Sequence, residues 1–306
     1  MEQTYLFKKT RIAPTPSGFL HLGNVLSFAI TAALAQKTNA RILLRIDDLD
    51  RERVKSQYIH DIFDTLNFLE IPWHEGPSDA QEFERIYSQL HRIEFYEKIL
   101  KHLREDGHLF ACTCSRAQFK KDNADGDNSD PCIKKLIPFN TKDASWRLKT
   151  NTKELEIKTW PGKTMKAILP SSLTDFVVRK KDGYPSYQLA SVLDDLYYDV
   201  DLVVRGEDLW PSTLAQYYLS SLLQRNNFCN ATFFHHRLLK DFENRKLSKT
   251  AGAVSIRYLR MQGKKPVDIY SEIGRMLGFK TTINNWQMLA DSINMFSSEQ
   301  VIHSPE

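Results

Sequence analysis

Two short segments, far apart in the chain, carry residue types suited to handling phosphate. Residues 11–24 read RIAPTPSGFLHLGN, in which Pro14, Pro16 and Gly18 shape a stiff loop. It runs into His21-Leu22-Gly23-Asn24 and then a long apolar stretch. A helix beginning there presents unpaired backbone N–H groups and roughly half a positive charge at its mouth, which attracts phosphate. His21 offers a hydrogen bond to a phosphate oxygen, and Gly23 leaves the backbone open to a base or phosphate. The second segment is KLSKT, Lys246 to Thr250, with two lysines around the hydroxyl of Ser248 in a glycine-containing loop. That chemistry suits a mobile clamp on a polyphosphate whose charge grows as its α-phosphorus becomes five-coordinate. Taken singly, each segment also reads as something plainer: a capping histidine, or a solvated basic loop. The specific signal is the pair.

These loops need a scaffold. Residues 4–12 read as a short buried strand, 22–37 as an apolar helix and 40–46 as a second strand, which together make a right-handed βαβ unit. Helical periodicity follows over 55–70 and 79–106. From about 107 to 170 the texture changes: cysteines appear, then a polar tract over 120–130, then strand-like sequence over 145–169. Alternation resumes with helix 186–196, strand 201–207, helix 212–224 and strand 232–239. A basic loop occupies 244–252, and short helical segments follow. The expected fold class is α/β, a doubly wound parallel sheet. Residues 1–106 and 171–252 are expected to form the two halves of this α/β domain, 107–170 an inserted α+β subdomain, and 253–306 a short helical C-terminal region. In open parallel sheets ligands bind beyond the carboxyl ends of the strands, where the 11–24 loop falls.

Composition excludes several classes. The chain of 306 residues is 42% hydrophobic and 26% charged, which is ordinary globular composition. No apolar run approaches the ~20 residues that cross a bilayer, and the first residues lack the apolar core of a signal peptide. Four cysteines do not suggest a disulfide framework, so a reducing cytoplasm is expected. A net charge of +4 permits a polyanionic partner without requiring one.

HLGN and KLSKT resemble the two signature motifs of class I aminoacyl-tRNA synthetases. RIAPTPSGFLHLGN, LLRIDDLDRER, ACTCSR, YPSYQLASVLDDLYYDVDLVVRGEDLWPST and KLSKT, in that order, resemble the glutamyl-tRNA synthetase family. The resemblance covers most of the chain and implies a Rossmann-like catalytic domain. Within the family the chain is most similar to the short paralogue that attaches glutamate to the queuosine base in the anticodon of tRNA(Asp). The implied reaction has two steps. The glutamate α-carboxylate attacks the α-phosphorus of ATP, giving glutamyl-adenylate and pyrophosphate, and an RNA nucleophile then attacks the mixed anhydride. The implied catalytic residues are His21 and Lys249, with ATP contacts at His21, Gly23, Asn24, Lys246, Ser248 and Lys249 and with Mg²⁺ bridging the phosphates. The partners are glutamate and tRNA, with no membrane, and a monomer is expected.

The resemblance also implies a glutamate pocket. Arg11 and Arg205, each at the end of a strand, match the family's glutamate-binding arginines, whose planar fork grips both oxygens of a carboxylate. Ile12, Ala13, Pro14 and Thr15 match the substrate-binding loop, and Tyr187 matches a pocket tyrosine. Asp47 stands where the family has a glutamate that meets the substrate ammonium, and it is shorter by one methylene. Cys112, Cys114 and Cys132 resemble three ligands of the family's zinc knob. The stretch before Cys132, with Asn128 and Asp130, lacks the usual fourth ligand, so three structural thiols remain an equal reading.

Only residues 251–306 follow KLSKT, where a full synthetase of this family carries an anticodon-binding region, so no such domain is expected. Two alternatives stay open. One is a truncated glutamyl-tRNA synthetase that charges a tRNA 3′ end. The other, of a different class, is a catalytically idle relative that binds RNA or nucleotide.

Overall fold

The computed structural model describes residues 6–115, 118, 131–224, 227–239 and 254–292. Strand β1 (Lys9–Ile12) pairs in parallel with β2 (Arg41–Leu44) across helix α1 (Leu22–Thr38), the expected βαβ unit. The first strand is shorter than expected. Its start is set by Asp201, whose carboxylate accepts from the Lys8 and Lys9 N–H groups at 2.9 Å while its own N–H donates to Lys9 O at 3.1 Å. Helix α1 is buried almost all round, and Ala29, Ala32, Ala33 and Ala35 let its backbone approach its neighbours closely. It ends at Asn39, which takes the left-handed conformation at φ 56°.

Helix α2 (Ser56–Phe68) follows. The 79–106 segment departs from the single helix its periodicity predicts. Ala80–Glu82 is one helical turn, Phe83–Tyr87 a π-turn and Gln89–Arg92 a 3₁₀ turn, before α3 runs over Ile93–Glu105. The break at Ser88 has a tertiary cause: the Ser88 hydroxyl and the Gln89 N–H both donate to the Asp48 carboxylate, at 2.7 and 2.8 Å.

Strands β3 (Leu109–Cys112), β4 (Ser145–Leu148) and β7 (Val177–Arg179) form a separate antiparallel sheet in the order β3-β4-β7. The hairpin of β5 (Leu155–Thr159) and β6 (Lys163–Ala167) joins the other sheet, where β5 lies parallel to β9. That sheet runs β6-β5-β9-β8, with β8 over Leu202–Gly206 and β9 over Thr232–His236. The β1–β2 pair lies against β8. Helices α4 (Tyr187–Tyr197) and α5 (Trp210–Ser221) alternate with these strands, and α6 (Ile256–Met261), α7 (Pro266–Met276) and α8 (Trp286–Ser292) follow.

Successive strand residues feed two cores. Leu202 and Val204 of β8 join the core around α1 and α2, while Val203 joins the one around α3, α4 and α5. Phe234 and Phe233 of β9 divide in the same way. Strand side chains alternate between faces, so helices cover both faces of a parallel arrangement. The fold is the expected doubly wound α/β class. Among the described residues no helix is long and apolar enough to cross a membrane.

Candidate active site

The mouth of α1 is locked by its own side chains. His21, extended at φ −128°, caps the helix, with its Nδ1 accepting the Gly23 N–H at 3.1 Å. Asn24 Oδ1 accepts the His21 N–H at 3.0 Å, completing a reciprocal capping box. With Nδ1 an acceptor, a neutral ring carries its proton on Nε2. Gly23 matters to this arrangement more than to open backbone: a Cβ would lie 3.1 and 3.2 Å from His21 Cε1 and Nδ1. Lys246, Ser248 and Lys249 lie outside the described residues. Where the described chain resumes, Ser255 forms an antiparallel bridge with His21, and the Ile256 N–H donates to Leu20 O at 2.8 Å.

Beyond the strand ends lies a buried cluster of charge. The ladder between β1 and β2 continues past both strands, with Arg45 N donating to Ile12 O at 2.9 Å and Asp47 N to Pro14 O at 3.0 Å. This extension fixes Arg45 and Asp47 beside the Ile12–Thr15 loop. Arg45 grips Asp47 with both ends of its fork, Nε to Oδ1 at 2.7 Å and Nη2 to Oδ2 at 3.0 Å. Its Nη1 donates to Asp195 Oδ1 at 2.6 Å. Asp195 in turn accepts from Arg11 Nε at 3.1 Å, and Arg11 Nη1 donates to Val204 O at 3.1 Å. Burial works against Arg45, but the Asp47 and Asp195 carboxylates hold it charged well above the ordinary arginine value. Burial pushes the Asp47 carboxyl up, opposed by Arg45.

Arg205 differs from its neighbours. It is 3% exposed, and its Nη1 donates to Gln216 Oε1 at 2.8 Å and to Thr213 Oγ1 at 3.2 Å. Its Nε and Nη2 have no hydrogen-bond partner among the described residues. Burial lowers its pKa to about 10, with the Arg11 and Arg45 charges pressing the same way and Tyr187 and Asp195 opposing. Three guanidiniums, Arg11, Arg45 and Arg205, thus share one buried neighbourhood with two carboxylates, Asp47 and Asp195. The unspent positive charge and the open Nε/Nη2 edge are what a bidentate anion would complete.

Asp47 and Ser191 join this cluster to a cleft of about 980 Å³, whose wall also carries Thr15 and Tyr187 but not Arg11, Arg45, Asp195 or Arg205. Tyr187, at the first turn of α4, is 42% exposed, which distinguishes it from a core tyrosine. Ile12 is buried in the core at 1% exposure, and Ala13 and Pro14 carry the chain from β1 toward the cleft. Arg45, Ser191 and Asp195 join the cluster without belonging to any motif that singles them out in sequence. A signal existed: LLRIDD and SVLDDL put charge into otherwise apolar elements, where burial demands partners. Asp194 is the second such group, accepting from Arg92 at 2.8 and 3.0 Å, from the Tyr96 hydroxyl at 2.6 Å and from Gln89 at 2.9 Å.

At the far wall of the cleft stand the cysteines. Cys132 Sγ lies 3.4 Å from Cys112 Sγ and 3.2 Å from Cys114 Sγ, and all three sulfurs fall within 4.8 Å of one another. Cys112 and Cys132 are buried, and Cys114 lines the cleft. Three sulfurs so grouped fit three corners of a tetrahedral thiolate site, in which Zn–S bonds are about 2.3 Å. Asn128 and Asp130 lie outside the described residues, and no fourth ligand joins the cluster among those described.

Residues 8–306 match the family of tRNA synthetases class I (E and Q), catalytic domain. The glutamyl-Q tRNA(Asp) synthetase of Symbiobacterium thermophilum is 32% identical over 282 residues, covering 88% of this chain and 86% of that protein. Glutamate–tRNA ligase 2 of Syntrophus aciditrophicus is 28% identical over 84% of this chain. The chain spans only 55% of that ligase's length. The crystal structure of a glutamate-tRNA synthetase from Elizabethkingia anophelis superposes with a TM-score of 0.70 at 21% identity, over 96% of this chain and 69% of that one, a likeness in fold. The chain belongs to the catalytic-domain family of class I tRNA synthetases for glutamate and glutamine.

Proposed function

We propose that this chain activates glutamate with ATP as glutamyl-adenylate and transfers the glutamyl group to the queuosine base in the anticodon of tRNA(Asp). The observation that carries the amino-acid assignment is Arg205: a buried guanidinium with neutral partners on Nη1 and none on Nε or Nη2. A side-chain carboxylate supplies both the missing charge and two acceptors. In this reading Arg205 and Arg11 bind that carboxylate, Tyr187 and the Ile12–Thr15 loop shape the pocket, and Asp47 meets the ammonium through the lone pairs Arg45 leaves. The acceptor assignment is supported by similarity to glutamyl-Q tRNA(Asp) synthetases along most of their length.

An α-carboxylate oxygen forms a bond to the α-phosphorus of ATP as the bond to pyrophosphate breaks, and in the second step an RNA nucleophile bonds to the glutamyl carbonyl carbon, losing its proton, as the bond to AMP breaks. No protein atom becomes covalently attached. The protein aligns the reactants and stabilises the developing charge, with phosphate contacts assigned to His21, Lys246, Ser248 and Lys249, and with Gly23 and Asn24 shaping the helix mouth. Mg²⁺, when bound, neutralises phosphate charge. Cys112, Cys114 and Cys132 would hold a zinc as a structural clip of the segment bearing β3. A catalytic domain in two halves, 1–106 and 171–252, around the 107–170 insertion and followed by 253–306, belongs to the same proposal, as does a monomeric cytoplasmic enzyme.

Isotope exchange between ATP and pyrophosphate tests the first step. Exchange that depends on glutamate, and not on glutamine, is expected. Exchange with neither amino acid, with or without RNA, would favour an idle RNA- or nucleotide-binding relative.

A further inference from the structure

Behind Arg205 lies a polar layer that no step above uses. Arg205 and His235 are register partners on the parallel strands β8 and β9, so their side chains leave the sheet on the same face. Helix α5 lies over them and contributes Thr213 and Gln216. Arginine only donates, so the Gln216 amide must turn its oxygen to Nη1. The Thr213 hydroxyl accepts from the same nitrogen and lies 2.9 Å from His235 Nε2. Thr213 and Gln216 are both 0% exposed. His235 sits between the edge of Trp210, with centroids 5.1 Å apart, and the stacked ring of Phe233 at 6.4 Å. Burial, reinforced by the Arg205 charge, keeps His235 neutral.

Every member of this layer is therefore uncharged. Three other buried arginines near it differ: Arg11 pairs with Asp195, Arg45 with Asp47 and Asp195, and Arg92 with Asp194. A glutamate at 216 would have the same shape as the glutamine and would pair with Arg205 internally.

We propose that Gln216, with Thr213 and His235, is a specificity-determining positioning set: it grips Arg205 by Nη1 through neutral acceptors, so that the guanidinium meets the amino-acid side chain with its charge uncompensated and its Nε/Nη2 edge open. The inference rests on the glutamate-activating reading and names what makes that pocket choose. A carboxylate satisfies both N–H groups and the charge. The isosteric carboxamide turns an NH₂ donor toward one of them and leaves a buried charge unneutralised, the kind of mismatch a polar site rejects strongly.

The test compares exchange kinetics for glutamate and glutamine in wild type, Gln216→Glu and Gln216→Met. Gln216→Glu is expected to lower kcat/KM for glutamate about 100-fold, mainly through KM, and to bring the glutamate-to-glutamine ratio toward unity. Its KM for ATP and thermal midpoint should stay near wild type. Gln216→Met removes the acceptor but leaves Arg205 uncompensated. It should weaken glutamate by about tenfold, the scale of one hydrogen bond to a charged group, while keeping the ratio. A merely structural role would depress both amino acids alike in both variants. A ratio in Gln216→Glu within about threefold of wild type overturns the inference while the glutamate reading stands. So does a collapse of the ratio in Gln216→Met, which decides the matter should the glutamate variant not fold. A wild type that exchanges with neither amino acid overturns the glutamate reading itself, and this inference with it.

Discussion

A guanidinium held out of water without a carboxylate is an unusual state, and Arg205 is kept in it by two neutral acceptors on one nitrogen. Lysine at 205 would keep a charge but lose the fork. Arg205→Lys should therefore lower glutamate-dependent exchange by about 100-fold, with most of the loss in the KM for glutamate. Steady-state exchange at varied glutamate checks this. Gly23 makes a second claim at this scale. Alanine there favours the helix by about 1 kcal/mol, but its Cβ meets the His21 imidazole, and displacing that cap costs about as much. Gly23→Ala should thus leave the urea midpoint near wild type and slow exchange by about tenfold or more through ATP. A slowed exchange with unchanged ATP dependence would contradict the phosphate role of His21.

Elements fix where these residues stand, and here a sequence is only partly legible. The βαβ unit and the stiff loop at its helix mouth could be read because each lies inside a local pattern, whereas Arg11 and Arg205 stood out through the family resemblance. Strand alternation and a Pro/Gly loop before an apolar helix are short-range signals. The 83–92 break could not, because its cause is Asp48, about forty residues earlier in sequence. Arg45 escaped for the same reason: its partners Ser191 and Asp195 come from α4. The β5–β6 hairpin reads as strands, but its attachment to β9 is a long-range pairing that periodicity does not encode. Ion pairs that tie elements together are also where damage should be greatest. Asp194→Ala would leave Arg92 buried without its carboxylate, and it should cost about 3–5 kcal/mol by denaturant titration.

Strand β9 adds a pH dependence. Burial holds His235 and His236 below the ordinary histidine value, while the unfolded chain titrates near pH 6.5. Below that pH the unfolded state binds protons that the folded state does not. Stability is therefore present above about pH 6.5 and lost as the pH falls, by up to about 1.4 kcal/mol per unit for each histidine. Asp47 and Asp61, which burial raises, act in the opposite sense toward the acid end. The informative quantity is consequently a difference. Urea midpoints at about pH 7.5 and 5.5 should fall less in His235→Gln than in wild type.

Over the whole molecule, the proposed amino-acid pocket draws on β1, the segment after β2, α4, β8 and α5, and its charged side chains bond to groups within this chain. On the proposed reading these internal bonds hold the pocket, so exchange is expected without any nucleic acid. The cysteine cluster makes an independent prediction: protein purified without chelator should carry about one zinc per chain. Metal analysis finding none would make Cys112, Cys114 and Cys132 structural thiols and leave the activation chemistry untouched. Where the glutamyl group goes separates the two enzyme readings. Labelled glutamate should be transferred to tRNA(Asp) that carries queuosine and has been trimmed of its 3′-terminal nucleotide, and not to the same tRNA lacking queuosine. Label that appears only on tRNA with an intact 3′ end, whether or not queuosine is present, would contradict the account and make this a synthetase charging the terminal ribose.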